Sequence, residues 1–508
     1  MNRPIRRVGL TVLVLFVALV AQLTYLQVVR ANDLRNHPGN VRVFLRDINR
    51  ARGAILSSDG VVLAESVPSA DPDDEIRQQR VYPDETAELF AHIVGYQSVN
   101  RGNSGVEATY NDQLVGRDVD RLFDLDDLAD FFTDEDTRGN VVLTVSRAAQ
   151  QLAADGLRGR RGSVVVLDVR TGGIVAAYSN PTYDPNLVAT HDVEQAEEVF
   201  GLLAASPDNP ALARAWRERY APGSTFKVVT SGIALEAELT PRPPSPPGPP
   251  YRLTPTSPVY PRIRSLDLPQ TDRTLSNFGG SVCGGDLIES FRRSCNTTFG
   301  QIGLDLGPLL GEGIERFGIS TDPPRTDLHP AVVRSIGPEP EEFRENQPLF
   351  AQAAIGQGTV AVTPLAMAMV AQAVANGGVM LVPHVLDHVE NGDGEVVPNS
   401  SFGIREMGRA MDPATAATVT QLMVEVVNNG TGTAAQIPGV QVAGKTGTAQ
   451  VQGEDAHAWF VGFAPAEAPV YAIAVLVENG GDLGSEATGG RVAAPIARDV
   501  LAGLLAGG

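Results

Sequence analysis

Lysine is almost absent from this chain. The 508 residues contain 40 lysines and arginines together, and only Lys227 and Lys445 are lysines. So large an excess of arginine is most simply a bias of genome composition, which accounts for the scarcity of lysine but not for the two positions that keep it. A guanidinium holds its proton at physiological pH, whereas a lysine amine loses its proton when burial or a nearby positive charge lowers its pKa. Both lysines are therefore candidates for sites that need an amine.

Clusters of basic residues and of metal ligands are also lacking. The formal net charge is −20, and no basic stripe follows the first seven residues. Binding to nucleic acid is disfavoured, because phosphates are neutralised by clustered lysine or arginine. The two cysteines and seven histidines are scattered without a recognised zinc-ligand spacing. We therefore expect no nucleic-acid partner, no metal and no other cofactor.

The N-terminus predicts a membrane segment. Three arginines within the first seven residues precede an apolar run from Val8 to about Leu26. At a rise of 1.5 Å per residue this run would span roughly 28 Å, close to the ~30 Å hydrocarbon core of a bilayer. The basic residues predict a cytoplasmic tail over 1–7, a transmembrane helix over 8–28 and an exported remainder. The alternative is a cleaved signal peptide, which is less favoured because no clean A-x-A cleavage site is evident.

Two cysteines, Cys283 and Cys295, are the only ones in the chain. An exported, oxidising space permits a disulfide between them. Two buried thiols are the alternative, and the sequence leaves this choice open.

Composition divides the exported part into two regions. Residues 31–140 are charged and irregular, with acidic runs at Asp71–Glu75 and Asp124–Asp136 that are typical of solvated surface. From Val141 the sequence becomes rich in apolar runs. With 43% hydrophobic residues, a chain of this length has material for two or three domains. We expect a non-catalytic N-terminal domain over 31–140 and a second domain over 141–508.

The second region predicts an α+β fold with an antiparallel sheet flanked by helices. Paired apolar runs around turns indicate strands near both of its ends, and amphipathic stretches between them indicate helices. The predicted strands are Val164–Val169, Ile174–Ser179, Ala458–Phe463 and Val470–Val477, and the predicted helices are Thr363–Asn376 and Ala414–Asn428. Thr240–Arg262 is too rich in proline for a helix or a central strand, and we interpret it as a surface excursion within this domain.

The segment around Lys227 reads Ser224-Thr225-Phe226-Lys227 at the start of a predicted helix. Serine is a favoured helix cap, so simple capping by Ser224 is one interpretation. The i, i+3 spacing, however, brings the Ser224 and Lys227 side chains within reach of each other. A serine hydroxyl becomes a useful nucleophile when a neighbouring base removes its proton, and an amine with a lowered pKa can do this. Alone, S-x-x-K is a weak pattern.

Two further motifs strengthen this hypothesis. Ser294-Cys295-Asn296 forms an S-x-N triplet, and Lys445-Thr446-Gly447-Thr448 forms a K-T-G-T sequence. The ordered set S-x-x-K, S-x-N and K-T-G is the signature of penicillin-binding proteins and serine β-lactamases. The two lysines of the chain occupy the first and third of these motifs.

With these motifs the chain resembles the class B penicillin-binding proteins, which are peptidoglycan transpeptidases, and most of all the A-type members of actinobacteria. The resemblance covers most of the chain from about Arg52. It extends over further segments, namely Arg52–Ser66, Ser104–Gly116, Ser179–Asn186, Ala353–Ala368 and Gly489–Leu501. It implies a penicillin-binding transpeptidase fold that follows a membrane anchor and a pedestal domain.

The resemblance also implies roles for the first two motifs. Ser224 would attack the carbonyl between two terminal D-alanines of a stem peptide, with Lys227 as the base. Ser294 would relay a proton toward the leaving amine, and Asn296 would bind the peptide or position Lys227. The backbone N–H groups of Ser224 and Thr448 would form the oxyanion hole.

The third motif would bind the substrate's C-terminal carboxylate. Lys445 would supply positive charge between the hydroxyls of Thr446 and Thr448, and Gly447 would leave room for the peptide backbone beside a strand. The implied partners are stem peptides, β-lactam antibiotics, the cytoplasmic membrane and a glycan-polymerising glycosyltransferase.

Two other functions share parts of this signature. A D,D-carboxypeptidase or β-lactamase would hydrolyse the acyl-enzyme, and class A β-lactamases use a glutamate for that step. Glu342 and Asn346 have a suitable i, i+4 spacing, but they lie in a charged segment beside prolines that is typical of loop surface. A non-catalytic penicillin sensor or scaffold is the other alternative.

Overall fold

A computed structural model describes residues 2–26, 30, 48–73, 75–116, 138–243, 245 and 247–507 of the chain. The contacts divide it into two units, residues 1–51 with 67–79, and residues 52–66 with 80–508. The predicted acidic run Asp124–Asp136 and the last two residues of the predicted membrane helix lie outside the described residues.

The described secondary structure is mixed. The α-helices are Asn2–Thr24, Ala87–Val94, Gly105–Thr109, Asn111–Leu114, Arg147–Leu157, Val193–Ala205, Arg214–Arg217, Lys227–Glu236, Leu287–Arg292, Asn296–Leu306, Pro308–Glu315, Gln347–Ala353, Pro364–Ala375, Pro413–Asn429 and Ala493–Gly507. The 3₁₀ turns are Pro185–Leu187, Gly223–Phe226, Phe278–Gly280, Pro340–Arg344, Thr433–Ala435 and Glu478–Glu486. Short two-stranded pairings use Gln97–Ser98, Gly102–Asn103, Glu238–Leu239, Tyr251–Arg252, Tyr260–Ile263, Ser265–Asp267, Thr274–Ser276, Cys283–Gly285, Val379–Leu381 and Glu406–Arg409.

The first helix carries the apolar N-terminal run. Its segment Arg6–Thr24 has a mean hydropathy of 2.0 and is not buried. Among the described residues it is the one helix long and apolar enough to cross a membrane. This agrees with the predicted single-pass anchor.

A five-stranded antiparallel sheet, which we call the catalytic sheet, forms the centre of the larger unit. Its strands, in spatial order, are Ala443–Val451, Glu454–Ala464, Tyr471–Val477, Gly162–Asp168 and Ile174–Asn180. All four strands predicted from the sequence belong to it, within a few residues of their predicted ends. Ala443–Val451 is an edge strand in the described part of the chain, so one side of its backbone is not paired within this sheet.

Helices cover both faces of the catalytic sheet, Pro364–Ala375 on one side and Ala493–Gly507 on the other. Leu476 packs in the core that includes the first helix, and its neighbour Val475 packs in the core that includes the second. Successive strand residues point to opposite faces, so these strands are apolar throughout because both faces are buried. The predicted α+β class, an antiparallel sheet flanked by helices, is confirmed.

A second five-stranded sheet includes the N-terminal region. Its strands, in spatial order, are Leu386–Glu390, Asn140–Leu143, Ile55–Leu56, Val62–Pro68 and Gln78–Val81. Asn140–Leu143 pairs with Ile55–Leu56 on one side and with Leu386–Glu390 on the other. The boundary expected at residue 141 thus lies within a strand, and the division into domains at that point stays a prediction.

A buried ion cluster lies in the N-terminal part of the larger unit. Glu107 is fully buried, and its carboxylate accepts hydrogen bonds from Arg52 and from Arg80. Burial alone would raise the pKa of Glu107, but the charges and hydrogen bonds of the two arginines outweigh burial and hold the pKa below its usual value.

The proline-rich segment Thr240–Arg262 contains two short strands. Tyr251–Arg252 pairs with Glu238–Leu239, and Tyr260–Ile263 pairs with Cys283–Gly285. Glu238–Leu239 follows the helix Lys227–Glu236, and Cys283–Gly285 precedes the helix Leu287–Arg292. The proline-rich segment and both partner strands therefore belong to the same unit.

Candidate active site

Ser224 lies in the 3₁₀ turn Gly223–Phe226, directly before the helix Lys227–Glu236. Phe226, Val229 and Ile233 of this segment are buried. The helix cap is Phe226 rather than Ser224, and no side chain caps the helix. The Ser224 hydroxyl is therefore not used as a cap.

Lys227 has four polar neighbours at the tip of its fully buried side chain. Its Nζ lies 3.0 Å from Ser224 Oγ, 2.9 Å from the Ser294 carbonyl oxygen, 3.1 Å from Ser294 Oγ and 2.8 Å from Asn296 Oδ1. The S-x-x-K and S-x-N motifs thus meet at one nitrogen atom, although 67 residues separate Lys227 from Ser294.

Asn296 is held with its oxygen toward Lys227. Its Nδ2 donates to the Ser276 carbonyl at 3.0 Å, which fixes the orientation of the amide. Asn296 is also the first residue of the helix Asn296–Leu306. The orientation makes Asn296 Oδ1 an acceptor for an N–H of the amine.

Ser294 lies in the turn between the helices Leu287–Arg292 and Asn296–Leu306. Its φ of 59° is in the left-handed region, which serine seldom adopts. In this conformation both its carbonyl oxygen and its hydroxyl lie near Lys227. The following residue, Cys295, forms a disulfide with Cys283, so the pairing that the sequence left open is present beside this turn.

Lys445 extends from the edge strand Ala443–Val451 to the same hydroxyl. Its Nζ lies 3.0 Å from Ser294 Oγ and donates to the carbonyl of Thr446 at 2.9 Å. Its side chain is fully buried. The amine therefore faces Ser294 and is shielded from solvent.

Both lysines have lowered pKa values. Burial lowers the pKa of Lys445 to about 7. Burial also holds the pKa of Lys227 well below its usual value, and the positive charge of Lys445 lowers it further. Of the two amines, Lys227 is therefore the one suited to lose its proton first and accept another.

Two glycines let the nucleophile turn and the edge strand approach each other closely. Gly223 has a φ of +54°, and a Cβ there would lie 2.6 Å from the carbonyl oxygen of Thr448. A Cβ at Gly447 would lie 2.8 Å from the carbonyl oxygen of Pro222. Both contacts are with backbone atoms, so a larger residue at either position would push the two motifs apart.

The hydroxyls of Thr446 and Thr448 contact residues outside the three motifs. Thr446 Oγ1 lies 2.6 Å from Thr431 Oγ1, and Thr448 Oγ1 lies 3.5 Å from the backbone N of Gly489. The structure thus places all eight predicted residues, Ser224, Lys227, Ser294, Asn296, Lys445, Thr446, Gly447 and Thr448, in one locality.

Sequence reasoning missed residues that hold the motifs in place. Trp459, opposite Gly447 on the next strand, donates its indole N–H to the carbonyl of Ala221 at 3.0 Å. Asn277 Oδ1 accepts the backbone N–H of Thr297, at the start of the helix that carries Asn296. Trp459 is one of only two tryptophans in the chain, which was the single available signal. No pattern marks Asn277.

Family comparisons agree with this geometry. Residues 162–502 match the penicillin binding protein transpeptidase domain, and residues 52–142 match the penicillin binding protein A dimerisation domain. The peptidoglycan D,D-transpeptidase PbpA of Mycolicibacterium smegmatis is 40% identical, with 99% of each chain covered. The protein of the same name from Mycobacterium tuberculosis is 39% identical over the full length of both chains.

Solved structures show the same likeness. Penicillin-binding protein A from M. tuberculosis, as its ceftriaxone acyl-enzyme complex, aligns with a TM-score of 0.79 at 36% identity and covers 91% of this chain and 100% of that one. Its penicillin G acyl-enzyme complex aligns with a TM-score of 0.77 at 37% identity and covers 90% and 100%. The three motifs, the arrangement of the catalytic sheet and these similarities agree, and the chain belongs to the penicillin-binding protein transpeptidase family.

Proposed function

We propose that this penicillin-binding protein is a membrane-anchored peptidoglycan D,D-transpeptidase that cross-links stem peptides through an acyl ester on Ser224. The observation that carries this proposal is the position of Lys227 Nζ, which lies 3.0 Å from the Ser224 hydroxyl and has no carboxylate hydrogen-bonded to it among the described residues. A buried amine without a counter-charge favours its neutral form, and the neutral form is a base.

The hydrogen-bond partners of Lys227 suit this role. A neutral amine has two N–H donors and one lone pair. The Ser294 carbonyl and Asn296 Oδ1 can only accept, so they take the two N–H groups. The lone pair is then left for the Ser224 O–H. Lys227 removes that proton while Ser224 Oγ attacks the carbonyl carbon of the penultimate D-alanine.

The negative charge that forms on the substrate oxygen needs preorganised donors. The backbone N–H groups of Ser224 and Thr448 are suited to this task, because Gly223 brings the turn and the edge strand into contact. Removing one such donor typically costs about 3 kcal/mol in the barrier.

The edge strand binds the substrate. Its unpaired side can accept the peptide backbone as an additional strand. The hydroxyls of Thr446 and Thr448 donate to the terminal carboxylate, and the charge of Lys445 acts on that carboxylate from its buried position beside Ser294.

Ser294 carries the proton to the leaving group. The C–N bond breaks, and the departing D-alanine receives the proton of Ser224 from Lys227 through Ser294 Oγ, 3.1 Å away. The amine of a second stem peptide then attacks the ester. Its proton returns along the same route to Ser224 Oγ, and the cross-link is released.

The N-terminal helix indicates where in the cell the protein is located. Arg6–Thr24 would anchor it in the cytoplasmic membrane, with the catalytic part outside. We propose that residues 31–140 are non-catalytic and that 141–508 form the transpeptidase domain. A glycosyltransferase that polymerises glycan strands is the expected partner, because a cross-linking enzyme needs strands to join.

The direct test is acylation of the full chain in detergent by fluorescent penicillin, with Ser224→Ala and Lys227→Arg beside the wild type. We expect an ester on Ser224 in the wild type and no label on either variant. Labelling of Lys227→Arg at the wild-type rate would show that Lys227 is not the base.

The lifetime of the ester separates transpeptidase from hydrolase. We expect an ester that outlasts a β-lactamase intermediate by orders of magnitude, and a cross-linked product when a stem peptide and an amine acceptor are supplied. Glu342, the glutamate considered for deacylation, has its side chain engaged by the backbone N–H of Glu339 in its own 3₁₀ turn. Rapid loss of the label would favour a hydrolase, and no label at all would favour a scaffold.

A further inference from the structure

A loop outside the three motifs contacts the K-T-G-T motif and the backbone just before the S-x-N motif. Residues 430–432 follow the helix Pro413–Asn429, and the backbone N–H groups of Gly430 and Gly432 both bond to the carbonyl of Val426. A Cβ at Gly430 would lie 2.6 Å from the carbonyl oxygen of Arg292, two residues before Ser294. The loop therefore packs against the backbone just before the S-x-N motif. Its hydrogen bonds to Val426 connect it to the preceding helix.

Thr431 of this loop contacts the K-T-G-T motif. Its hydroxyl lies 2.6 Å from the hydroxyl of Thr446, and either oxygen can be the donor. Thr431 is exposed, whereas Thr446 is 6% exposed. In the described part of the chain, Thr431 is the hydrogen-bond partner of the Thr446 hydroxyl.

The binding of a carboxylate decides the direction of this bond. A carboxylate can only accept hydrogen bonds, and a threonine hydroxyl has one proton to donate. When Thr446 gives its proton to the carboxylate, its oxygen can only accept from Thr431. Lys445 does not take over this task, because its ammonium is buried and bonded to Ser294 and to the Thr446 carbonyl.

We infer that Thr431 is a positioning residue, which donates its hydroxyl proton to Thr446 and so directs the Thr446 proton toward the carboxylate of the substrate or of a penicillin. This inference rests on the proposed function, since it assumes that Thr446 binds that carboxylate. It adds a fourth segment, residues 430–432, to the three motifs of the site.

The test compares penicillin G with its methyl ester on the full chain in detergent. Thr431→Val keeps the shape of the side chain and removes the hydroxyl, whereas Thr431→Ser keeps the hydroxyl. Losing one hydrogen bond of about 1 kcal/mol slows a reaction roughly fivefold. We expect Thr431→Val to slow acylation by penicillin G about this much, through weaker binding rather than a lower limiting rate.

Three further results are expected if the inference holds. The methyl ester should react with Thr431→Val and with the wild type at nearly equal rates, since its carboxylate is masked. Thr431→Ser should restore the rate with penicillin G. In a Thr446→Val background, Thr431→Val should have no further effect, because the bond that it breaks is already absent.

Other outcomes overturn the inference in distinguishable ways. If Thr446→Val slows acylation by penicillin G and Thr431→Val does not, Thr431 is not a positioning residue and the proposed function stands. If Thr431→Val slows acylation by penicillin G and by its methyl ester equally, the substitution disturbs the site as a whole and does not act through the carboxylate. If Thr446→Val itself reacts at the wild-type rate, the carboxylate site of the proposed function is wrong, and the inference fails with it. Thr431→Ala, checked by its thermal midpoint, replaces Thr431→Val if valine impairs folding.

Discussion

Arg52 and Arg80 share a buried carboxylate, Glu107, whereas Lys227 and Lys445 share a neutral hydroxyl, that of Ser294. Both pairs place two basic groups in the interior of the same unit. In the arginine pair a carboxylate offsets the charge, and the pKa of Glu107 is held low. In the lysine pair no carboxylate is hydrogen-bonded to either amine among the described residues, and the pKa of each lysine is lowered.

The difference separates a structural cluster from a reactive one. A buried charge is tolerated when a partner compensates it, and removing the partner is costly. A buried amine without a counter-charge instead gives up its proton, which is what a base must be able to do. The comparison also explains why this arginine-rich chain keeps lysine at position 227, since a guanidinium could not be deprotonated there.

The largest effect is expected at Lys227. Lys227→Met should lower the rate of acylation by penicillin by at least ~10³-fold, because the base is lost while the nucleophile remains. The thermal midpoint should be equal to or above that of the wild type, because a poorly compensated buried amine is replaced by an apolar side chain. Acylation kinetics and calorimetry on the same preparation measure both. A strong loss of stability would mean that the amine has a structural role like that of Glu107.

The reverse pattern is expected at Glu107. Glu107→Gln leaves two buried arginines without a counter-charge and should destabilise the fold by about 3–5 kcal/mol. Acylation by the protein that remains folded should stay within about twofold of the wild type, because the hydrogen bonds of the Glu107 carboxylate go to Arg52, Arg80 and Tyr82 and not to the three motifs, and sites without shared partners usually act independently. Denaturant unfolding and acylation rates measure the two effects, with Glu65→Gln, an exposed glutamate in the strand Val62–Pro68, as the control. If Glu107→Gln kept the stability of the wild type but was acylated slowly, the distinction between a structural and a reactive cluster would be contradicted.

The motifs made part of this site predictable. The i, i+3 spacing of Ser224 and Lys227 indicated their contact, and the order of the three motifs indicated their shared site. The strands of the catalytic sheet were predictable because apolar runs flank turns such as Thr171-Gly172-Gly173.

Other features depend on contacts that are distant in the chain. The burial of Lys445 follows from which face of the edge strand meets Ser294, 151 residues earlier. The orientation of Asn296 depends on a carbonyl at Ser276, and the contact of Trp459 with Ala221 spans 238 residues. Such contacts are set by tertiary packing, which leaves no local pattern in the sequence.

A smaller effect is expected on the pH dependence of the lysine pair. Lys227 reacts when neutral, so acylation should fall as the pH drops through its pKa. The charge of Lys445 lowers that pKa, so Lys445→Met should raise it and move the acid limb to higher pH. At a pH below both values, each unit of increase would lower the neutral fraction of Lys227 about tenfold. The readout is the position of the acid limb in acylation rates measured between about pH 5 and pH 9 in steps of about 0.5, a window that lies below the usual lysine pKa of about 10.4.

Lys445→Arg is the matched control for this measurement, since arginine keeps the charge. Its acid limb should stay near that of the wild type even if its maximal rate falls. An unchanged limb in Lys445→Met would show that the two amines do not interact.

The smallest effect is expected from the disulfide. Cys283→Ser with Cys295→Ser should leave acylation within about threefold of the wild type, because a disulfide acts mainly by restricting the unfolded chain. The backbone bonds of Ser294 to Phe291 and of Cys295 to Ser290 would still hold the turn. Thiol titration of the unfolded, unreduced wild type should detect no free thiol. A loss of acylation as large as that of Lys227→Met would give the disulfide a place in the reactive cluster.

The proton state of Lys227 can be measured directly, because the chain has only two lysines. Protein labelled with ¹³C at lysine Cε should give two side-chain resonances, and Lys445→Met assigns them by removing one. During a pH titration, the Lys227 signal is expected to change well below the usual lysine value of about 10.4, and the Lys445 signal near 7. If Lys227 instead keeps its proton up to about pH 10, it cannot be the base that activates Ser224, and the account is wrong.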